Sequence, residues 1–153
     1  MTQTPTVSHL TSHLGYWLRF VSNHVSQAFA RRIEAQGVTV AEWAVLRELY
    51  GEAALAPSRL AERMGMTRGA ISKLADRLVA KALIVRDASP DDGRAQTLAL
   101  SPVGRVLVPT LSTLADENDA AFFSGLTPDE RETMERILRG LVDRHGLKSI
   151  PVG

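Results

Sequence analysis

The segment from residue 57 to residue 100 constrains the fold of this chain more than any other part of the sequence. It opens with Pro57, which favours the first turn of a helix because its φ angle is already helical and its missing N–H is not needed there. Gly65 permits a sharp turn after this short helix, and Thr67 can cap a second helix that runs to about Lys81. The sequence therefore predicts two helices joined by a tight turn.

The second of these helices has an apolar side and a polar side. Apolar residues recur at the spacing of one helix face, at Ile71, Leu74, Ala75 and Leu78. Small and charged residues occupy the opposite side, at Gly69, Ser72, Lys73, Asp76, Arg77 and Ala80. A short helix, a turn and a polar-faced helix form a helix-turn-helix, whose second helix fits the major groove of DNA.

Several side chains of this second helix suit contact with double-stranded DNA. The small residues Gly69 and Ser72 let the helix backbone approach the DNA closely. The longer basic residues can reach phosphates or base edges, and these are Arg68, Lys73 and Arg77. A basic helix face is often only a solvated surface, so the interpretation depends on the residues that follow.

A hairpin is predicted directly after the second helix. Period-two patterning marks strands at 83–86 and 97–100, and turn-forming residues fill 89–94 between them. Such a hairpin is a wing, and an arginine at its tip can enter the minor groove, where narrow A·T tracts concentrate negative potential. Arg94 is the candidate for this contact. Residues 57–94 hold eight basic and five acidic side chains, a small positive excess that favours a nucleic-acid partner.

Long amphipathic helices are predicted on both sides of this module. The first covers residues 9 to about 35 and carries one apolar stripe, at Leu10, Leu14, Trp17, Leu18, Val21 and Val25. A capping box at Thr39 and Glu42 opens the next helix, and two closing helices begin after Ser101 and Thr127. The outer stripes exceed what one small module can cover, so we expect a homodimer with a two-fold axis.

These elements define the expected architecture. The fold class is mainly α (α+β), a winged helix-turn-helix with a long N-terminal helix and C-terminal helices forming a dimerisation region. We expect a single domain over residues 1–153. Its winged module covers about 38–101, and its dimerisation helices cover about 9–36 and 102–146.

Composition and motifs exclude several other classes. The chain has no cysteine, which excludes disulfides and thiolate metal sites, and no apolar run approaches the roughly 20 residues of a membrane helix. The first seven residues carry no secretion signal, so we expect a cytoplasmic protein without a membrane partner. No phosphate loop, nucleophile elbow or HExxH motif is present, so we expect no enzyme and no cofactor. His9 and His13 are spaced to share a metal ion, but no third ligand is evident and we expect none.

Two segments carry a resemblance to a known family. DGRAQTLALSPVG at 92–104 resembles the wing signature of the MarR family, an Asp-x-Arg pair followed by Leu-Thr-x-x-Gly, with Ser101 in place of the threonine. LAERMG at 60–65, followed by Thr67 and Ile71, is similar to the family's helix-turn-helix. The resemblance spans roughly residues 10–145. One departure is Ala82, where the family commonly has glycine, so we expect a turn that avoids a positive φ there.

The resemblance implies a transcriptional regulator, a ligand-responsive repressor that binds a near-palindromic operator as a homodimer. It also implies that Asp92 pairs with an arginine of the recognition helix, Arg77, and fixes the wing. The alternative for the whole chain is a helical dimerisation module that does not bind DNA.

A small aromatic acid or phenolic compound is the effector class that the resemblance implies. The expected pocket lies between the winged module and the dimerisation helices, lined by His13, Trp17, Trp43, Arg47 and Tyr50. Arg47 can hold a carboxylate by two parallel hydrogen bonds. The alternative is that Arg47 pairs with Glu48 or Glu117 and that the aromatic residues only fill the core.

Overall fold

The computed structural model describes residues 4–88 and 96–148. A short 3-10 turn at Leu10–Ser12 precedes a mainly helical chain with one small sheet. The elements that follow, in chain order, are α1 (Leu14–Glu34), α2 (Val40–Tyr50), α3 (Pro57–Met64), α4 (Arg68–Ala80), β1 (Ile84–Ala88), β2 (Gln96–Leu100), α5 (Pro102–Phe123) and α6 (Pro128–His145).

Most helix starts follow the sequence prediction because each is fixed by a local cap. The Thr39 side chain accepts the Glu42 N–H at 3.2 Å, and the Glu42 carboxylate accepts the Thr39 N–H at 2.8 Å. The same reciprocal capping box opens α6 at Thr127. At α5, the Ser101 hydroxyl accepts the backbone N–H of Gly104 at 3.0 Å. These bonds satisfy backbone donors that have no partner within the helix.

The N-terminal helix α1 is shorter than the helix predicted over residues 9 to about 35. His13 is extended, with φ −102° and ψ 127°, and it separates the 3-10 turn from α1. The Ser12 hydroxyl donates to the His9 carbonyl at 2.6 Å, and the Trp17 indole N–H donates to the Thr11 carbonyl at 2.9 Å. Short polar side chains that bond the local backbone compete with helix formation, which explains why the helix begins only at Leu14.

The core lies between the helices of the winged module and the small sheet. Leu46, Leu49 and Leu60 are fully buried, as are Leu78 and Leu98. The strands β1 and β2 are antiparallel, with Ile84 opposite Leu100. Leu55 pairs with β2 through an isolated bridge. Its N–H donates to the Leu98 carbonyl at 2.9 Å, and its carbonyl accepts the Leu98 N–H at 2.8 Å. Sequence patterning did not predict this bridge.

The turn after α4 contradicts the prediction for Ala82. Its φ is +59°, the left-handed region that the sequence analysis expected it to avoid. Two hydrogen bonds impose this conformation, from Ala82 N–H to the Val79 carbonyl at 2.9 Å and from Leu83 N–H to the Leu78 carbonyl at 3.0 Å. This pattern is a Schellman motif, which places the residue after the C-cap at positive φ. The geometry of the helix end therefore prevails over the preference of alanine.

The outer helices leave apolar side chains in solvent. In α1, Leu14 is 81% exposed, and in α6 Ile137 is 53% exposed. None of the residues of α6 is buried. In the part of the chain that the structure describes, no helix combines the length and the apolar character needed to cross a membrane.

Candidate nucleic-acid interface

The turn between α3 and α4 has the geometry that the sequence predicts. Gly65 ends α3 in the left-handed conformation, with φ 62°, where a side chain would be strained. The Met66 N–H then bonds the Ala61 carbonyl at 3.0 Å, and the Thr67 hydroxyl caps α4 by accepting the Ala70 N–H at 3.1 Å. These local bonds fix the direction in which α4 leaves the turn.

Helix α4 has the two faces that were predicted for it. Ile71, Leu74, Ala75 and Leu78 are buried against the module. The opposite face is exposed, and it carries Arg68, Gly69, Ser72, Lys73, Asp76, Arg77 and Ala80. An exposed helix of 13 residues with this composition has the shape and charge to enter a major groove.

The structure brings together five of the residues predicted to contact DNA. Arg68, Gly69 and Lys73 lie on the exposed face of α4, together with Ser72 and Arg77. The two wing residues predicted from the sequence, Asp92 and Arg94, lie outside the described residues, and so does the pair expected between Asp92 and Arg77.

Gly69 leaves open space in front of the first turn of α4. A Cβ atom built on this residue would meet only the Thr67 hydroxyl, at 4.0 Å. The fold therefore does not require glycine here, because a larger residue would point into solvent. The open space permits a close approach of another molecule to the helix backbone.

An ion pair links α4 to β1, the first strand of the sheet. The Asp76 carboxylate, the one acidic group of α4, accepts a hydrogen bond from the Arg86 guanidinium of β1. This contact compensates the negative charge on the exposed face of α4 and attaches the first wing strand to it. Sequence analysis missed the pair, because spacing alone does not show which strand residue faces α4.

The burial of the Glu42 carboxylate was also not predicted from the sequence. Its side chain has no exposed surface, although the capping box predicted only a residue at the start of α2. Oε1 accepts hydrogen bonds from the Thr39 N–H at 2.8 Å and from the Lys81 ammonium at 2.9 Å, and the Arg77 guanidinium lies 3.4 Å away. Lys81 also donates to the Gly37 carbonyl at 2.8 Å. One carboxylate thus joins the start of α2 to the end of α4.

Opposing effects act on the pKa of Glu42. Burial raises the pKa, because it disfavours the charged form. The hydrogen bonds from Lys81 and from the Thr39 backbone, with the attraction of the Lys81 charge, outweigh burial and hold the pKa below its ordinary value. Glu42 is therefore ionised at neutral pH and supplies a buried negative charge.

The residues of the predicted effector pocket occupy three places. Trp43 and Arg47 line a cavity of about 350 Å³ between α2 and α3, together with Ala44, Glu48, Arg63, Met64 and Lys148. Tyr50 lies at the end of α2, and the guanidinium groups of Arg47 and Arg105 approach its ring centroid to 5.9 and 5.6 Å. His13 and Trp17 are at the start of α1, outside the lining of this cavity.

The two carboxylates proposed as alternative partners of Arg47 lie beside other arginines in the structure. Glu48 lies 3.8 Å from Arg63, and Glu117 lies 3.8 Å from Arg32. Within residues 4–88 and 96–148, no cluster of three or more His, Asp or Glu side chains is placed to hold a metal ion.

Comparison with known proteins connects this geometry to a family. The family model described as MarR family matches residues 36–95, which include α2, α3 and α4. A putative transcriptional regulatory protein for the hcr operon of Thauera aromatica is 32% identical over 133 residues, covering 86% of this chain and 80% of that protein. The HTH-type transcriptional repressor MdtR of Bacillus subtilis is 31% identical over 121 residues, covering 79% of this chain and 78% of that protein.

Two solved structures agree over almost their full lengths. One is the structure of Bordetella bronchiseptica BpsR, whose DNA binding is regulated by 6-hydroxynicotinic acid. It has a TM-score of 0.80 at 25% identity, and the match covers 90% of this chain and 99% of that one. The S. aureus MepR–DNA complex has a TM-score of 0.79 at 25% identity, covering 86% and 98%. The sequence matches agree with the geometry of helix α4 and of the antiparallel strands that follow it. The chain belongs to the MarR family of DNA-binding transcriptional regulators.

Proposed function

We propose that this protein is a homodimeric, ligand-responsive repressor that presents two copies of α4 to a near-palindromic operator. The observation that supports a dimer is the apolar face of α6, none of whose residues is buried within its own chain. Met134, Ile137 and Leu138 are 40%, 53% and 40% exposed. Apolar surface of this extent on a soluble protein marks an interaction site.

A second copy of the chain suits this surface. A groove of about 550 Å³ lies between the start of α1 and α6, and its apolar lining includes Leu14, Leu18 and Leu141. A two-fold axis lets the same patch on both copies cover itself, which is the commonest form of soluble oligomer. In this arrangement the helices at 9–36 and 102–146 pair, and each module at about 38–101 is left free for DNA.

The DNA contacts that we propose follow from the exposed face of α4. Arg68 and Lys73 neutralise phosphates on either side of the groove, and Gly69 with Ser72 permits close approach to base edges. Arg77, nearer the end of the helix, contacts the backbone. Arg94 enters the minor groove from the wing tip, and Asp92 holds that tip in place.

A dimer-breaking substitution tests this function directly. Ile137→Glu places a charge in the apolar face of α6, so we expect monomers in analytical ultracentrifugation and operator binding weakened at least about 100-fold, because one module alone reads half a site. Glu132→Lys, on the polar side of α6, is the matched control and should remain dimeric. A parent protein that is monomeric at micromolar concentration would contradict the proposal, as would binding that is indifferent to salt, since phosphate contacts release counterions.

The effector that we propose is a small aromatic acid held between α2 and α3. Trp43 lines the cavity there, and so do three cationic residues, Arg47, Arg63 and Lys148. Its volume of about 350 Å³ is at the lower end of the range for small-molecule sites. The likeness to BpsR, whose DNA binding is regulated by 6-hydroxynicotinic acid, supports this chemical class.

Tryptophan fluorescence can test the effector with one emitting residue. The chain has two tryptophans, so a Trp17→Phe variant leaves Trp43 as the reporter. Titration with salicylate should quench Trp43 and release operator DNA over the same concentration range, and Arg47→Gln should weaken both effects. If no aromatic acid changes either signal at millimolar concentration, this effector class is wrong.

A further inference from the structure

The buried Glu42 carboxylate lies beneath the DNA-facing helix without being part of its exposed face. Its only compensation for burial comes through Oε1, because Oε2 is buried and has no hydrogen-bond partner among the described residues. A buried charge without cationic partners is strongly unfavourable, so Arg77 and Lys81 are needed close to this oxygen.

The two cations are held in different ways. The Lys81 ammonium is hydrogen-bonded to both Glu42 and the Gly37 carbonyl, so two of its three donors are directed into the protein. The Arg77 guanidinium meets Glu42 at the distance of an ion pair, 3.4 Å, and its side chain is 51% exposed. A guanidinium has five N–H donors in a rigid plane, so one edge can face Glu42 while the other faces outward.

From this arrangement we propose that Glu42 is a positioning residue for DNA recognition, which holds one edge of the Arg77 guanidinium so that the other edge is presented to the DNA backbone. The inference rests on the proposed function of α4 as the recognition helix. Fixing a long side chain before binding reduces the conformational entropy that is lost on binding. The orientation also depends on the fold of the module, because Glu42 is itself fixed by the Thr39 cap.

A double-mutant cycle on operator affinity separates this role from simple structural support. Glu42→Gln keeps a side chain able to complete the capping box but removes the charge that attracts Arg77. We expect this substitution to weaken operator binding roughly fivefold in the parent and less than about twofold in an Arg77→Ala background, since interacting residues show such non-additivity. Equal effects in both backgrounds would overturn the inference.

The chain supplies a matched control for the loss of a capping glutamate. Glu130 makes the same capping box at the start of α6, with Thr127 at 3.2 and 2.9 Å, but it lies on an exposed surface far along the chain from α4. Glu130 also lines the groove between α1 and α6, so operator affinity is compared at a protein concentration at which analytical ultracentrifugation shows Glu130→Gln to be dimeric, and there it should be unchanged. If dimeric Glu130→Gln weakens binding as much as Glu42→Gln does, the effect comes from helix capping and the inference is wrong.

A second variant leaves Glu42 in place and keeps a positive charge at position 77. Arg77→Lys keeps the positive charge, but an ammonium cannot present two opposite edges. We expect it to weaken operator binding nearly as much as Arg77→Ala. Parent-like affinity for Arg77→Lys would overturn the positioning role and leave Arg77 as a simple phosphate contact. If Arg77→Ala itself binds operator like the parent, the contact assigned to Arg77 under the proposed function fails instead.

Discussion

A Cβ atom on Gly104 would overlap the backbone carbonyl oxygen of Leu83. That oxygen is fixed, because it also accepts the Ser101 N–H at 3.0 Å where the hairpin meets the start of α5. The close approach of α5 to the chain before β1 is therefore possible only without a side chain at position 104. The contact joins the winged module to the first of the two closing helices.

Gly104→Ala should consequently destabilise the protein. Neither the Leu83 carbonyl nor the first turn of α5 can move without breaking the Ser101 bonds, so we expect a loss of about 1–3 kcal/mol in the free energy of unfolding, as for other overpacked sites. Urea denaturation at fixed protein concentration measures it. Gly140→Ala in α6, where a Cβ meets nothing within 4 Å, is the control and should be neutral or slightly stabilising.

Ala82→Gly should have the opposite effect. Alanine at φ +59° carries the cost of a left-handed conformation, which for L-residues is about 1–2 kcal/mol. Glycine removes this cost but gains flexibility in the unfolded chain, so we expect a net stabilisation of about 0.5–1 kcal/mol in urea denaturation. Ala80→Gly, at the helical end of α4, should instead destabilise by up to about 1 kcal/mol. A variant at position 82 that is less stable than the parent would contradict the strain argument.

The starts of α2, α4, α5 and α6 were predictable because their causes are local. Thr39, Thr67, Ser101 and Thr127 each bond a backbone N–H three residues later, so the cap and its partner lie in the same short stretch of sequence. Ala82 shows where local reading fails. The conformational preference of alanine can be inferred from the sequence. The hydrogen bonds at the end of α4, which override that preference, cannot.

The candidate site was predictable on its exposed face and not beneath it. Helical spacing was enough to place Lys73 and Arg77 together on one side of α4. The contact between Glu42 and Lys81 joins residues that are 39 positions apart. The bridge between Leu55 and Leu98 joins the loop before α3 to β2. Only the packing of α2, α4 and the sheet brings such pairs together, so composition and periodicity do not indicate them.

Glu42 makes the stability of the protein depend on pH in a defined direction. Because its pKa is lowered in the folded state, its charge stabilises the fold above the ordinary glutamate pKa of about 4.3, and this contribution is lost as the pH falls through the lowered value. The difference in unfolding free energy between the parent and Glu42→Gln should therefore be constant near neutral pH and shrink below about pH 4. Urea denaturation at several pH values measures this difference. A difference that grows on acidification would show that the sign is wrong.

Arg94 at the predicted wing tip should contribute to DNA affinity and not to folding. We expect Arg94→Ala to weaken operator binding by about 1–3 kcal/mol, with unchanged urea denaturation. Asp92→Ala should weaken binding through a looser wing. Arg86→Ala is an informative contrast, because it removes the pair with Asp76 and should alter stability as well. The assignment of a wing contact is wrong if Arg94→Ala binds its operator as tightly as the parent does.

Gly69 separates the needs of the fold from those of DNA binding. A side chain at this position meets only open space within the protein, so Gly69→Gln should fold normally and gain up to about 1 kcal/mol from improved helix propensity. The N-terminal residues of a recognition helix contact base edges, and a long side chain there would keep α4 away from the groove. We therefore expect operator binding at least about tenfold weaker in fluorescence anisotropy, a loss of about 1.4 kcal/mol. Ala80→Gln adds a similar side chain to the same exposed face roughly 16 Å further along α4, and it should bind like the parent. If Gly69→Gln binds operator as well as Ala80→Gln does, the first turn of α4 does not face the DNA.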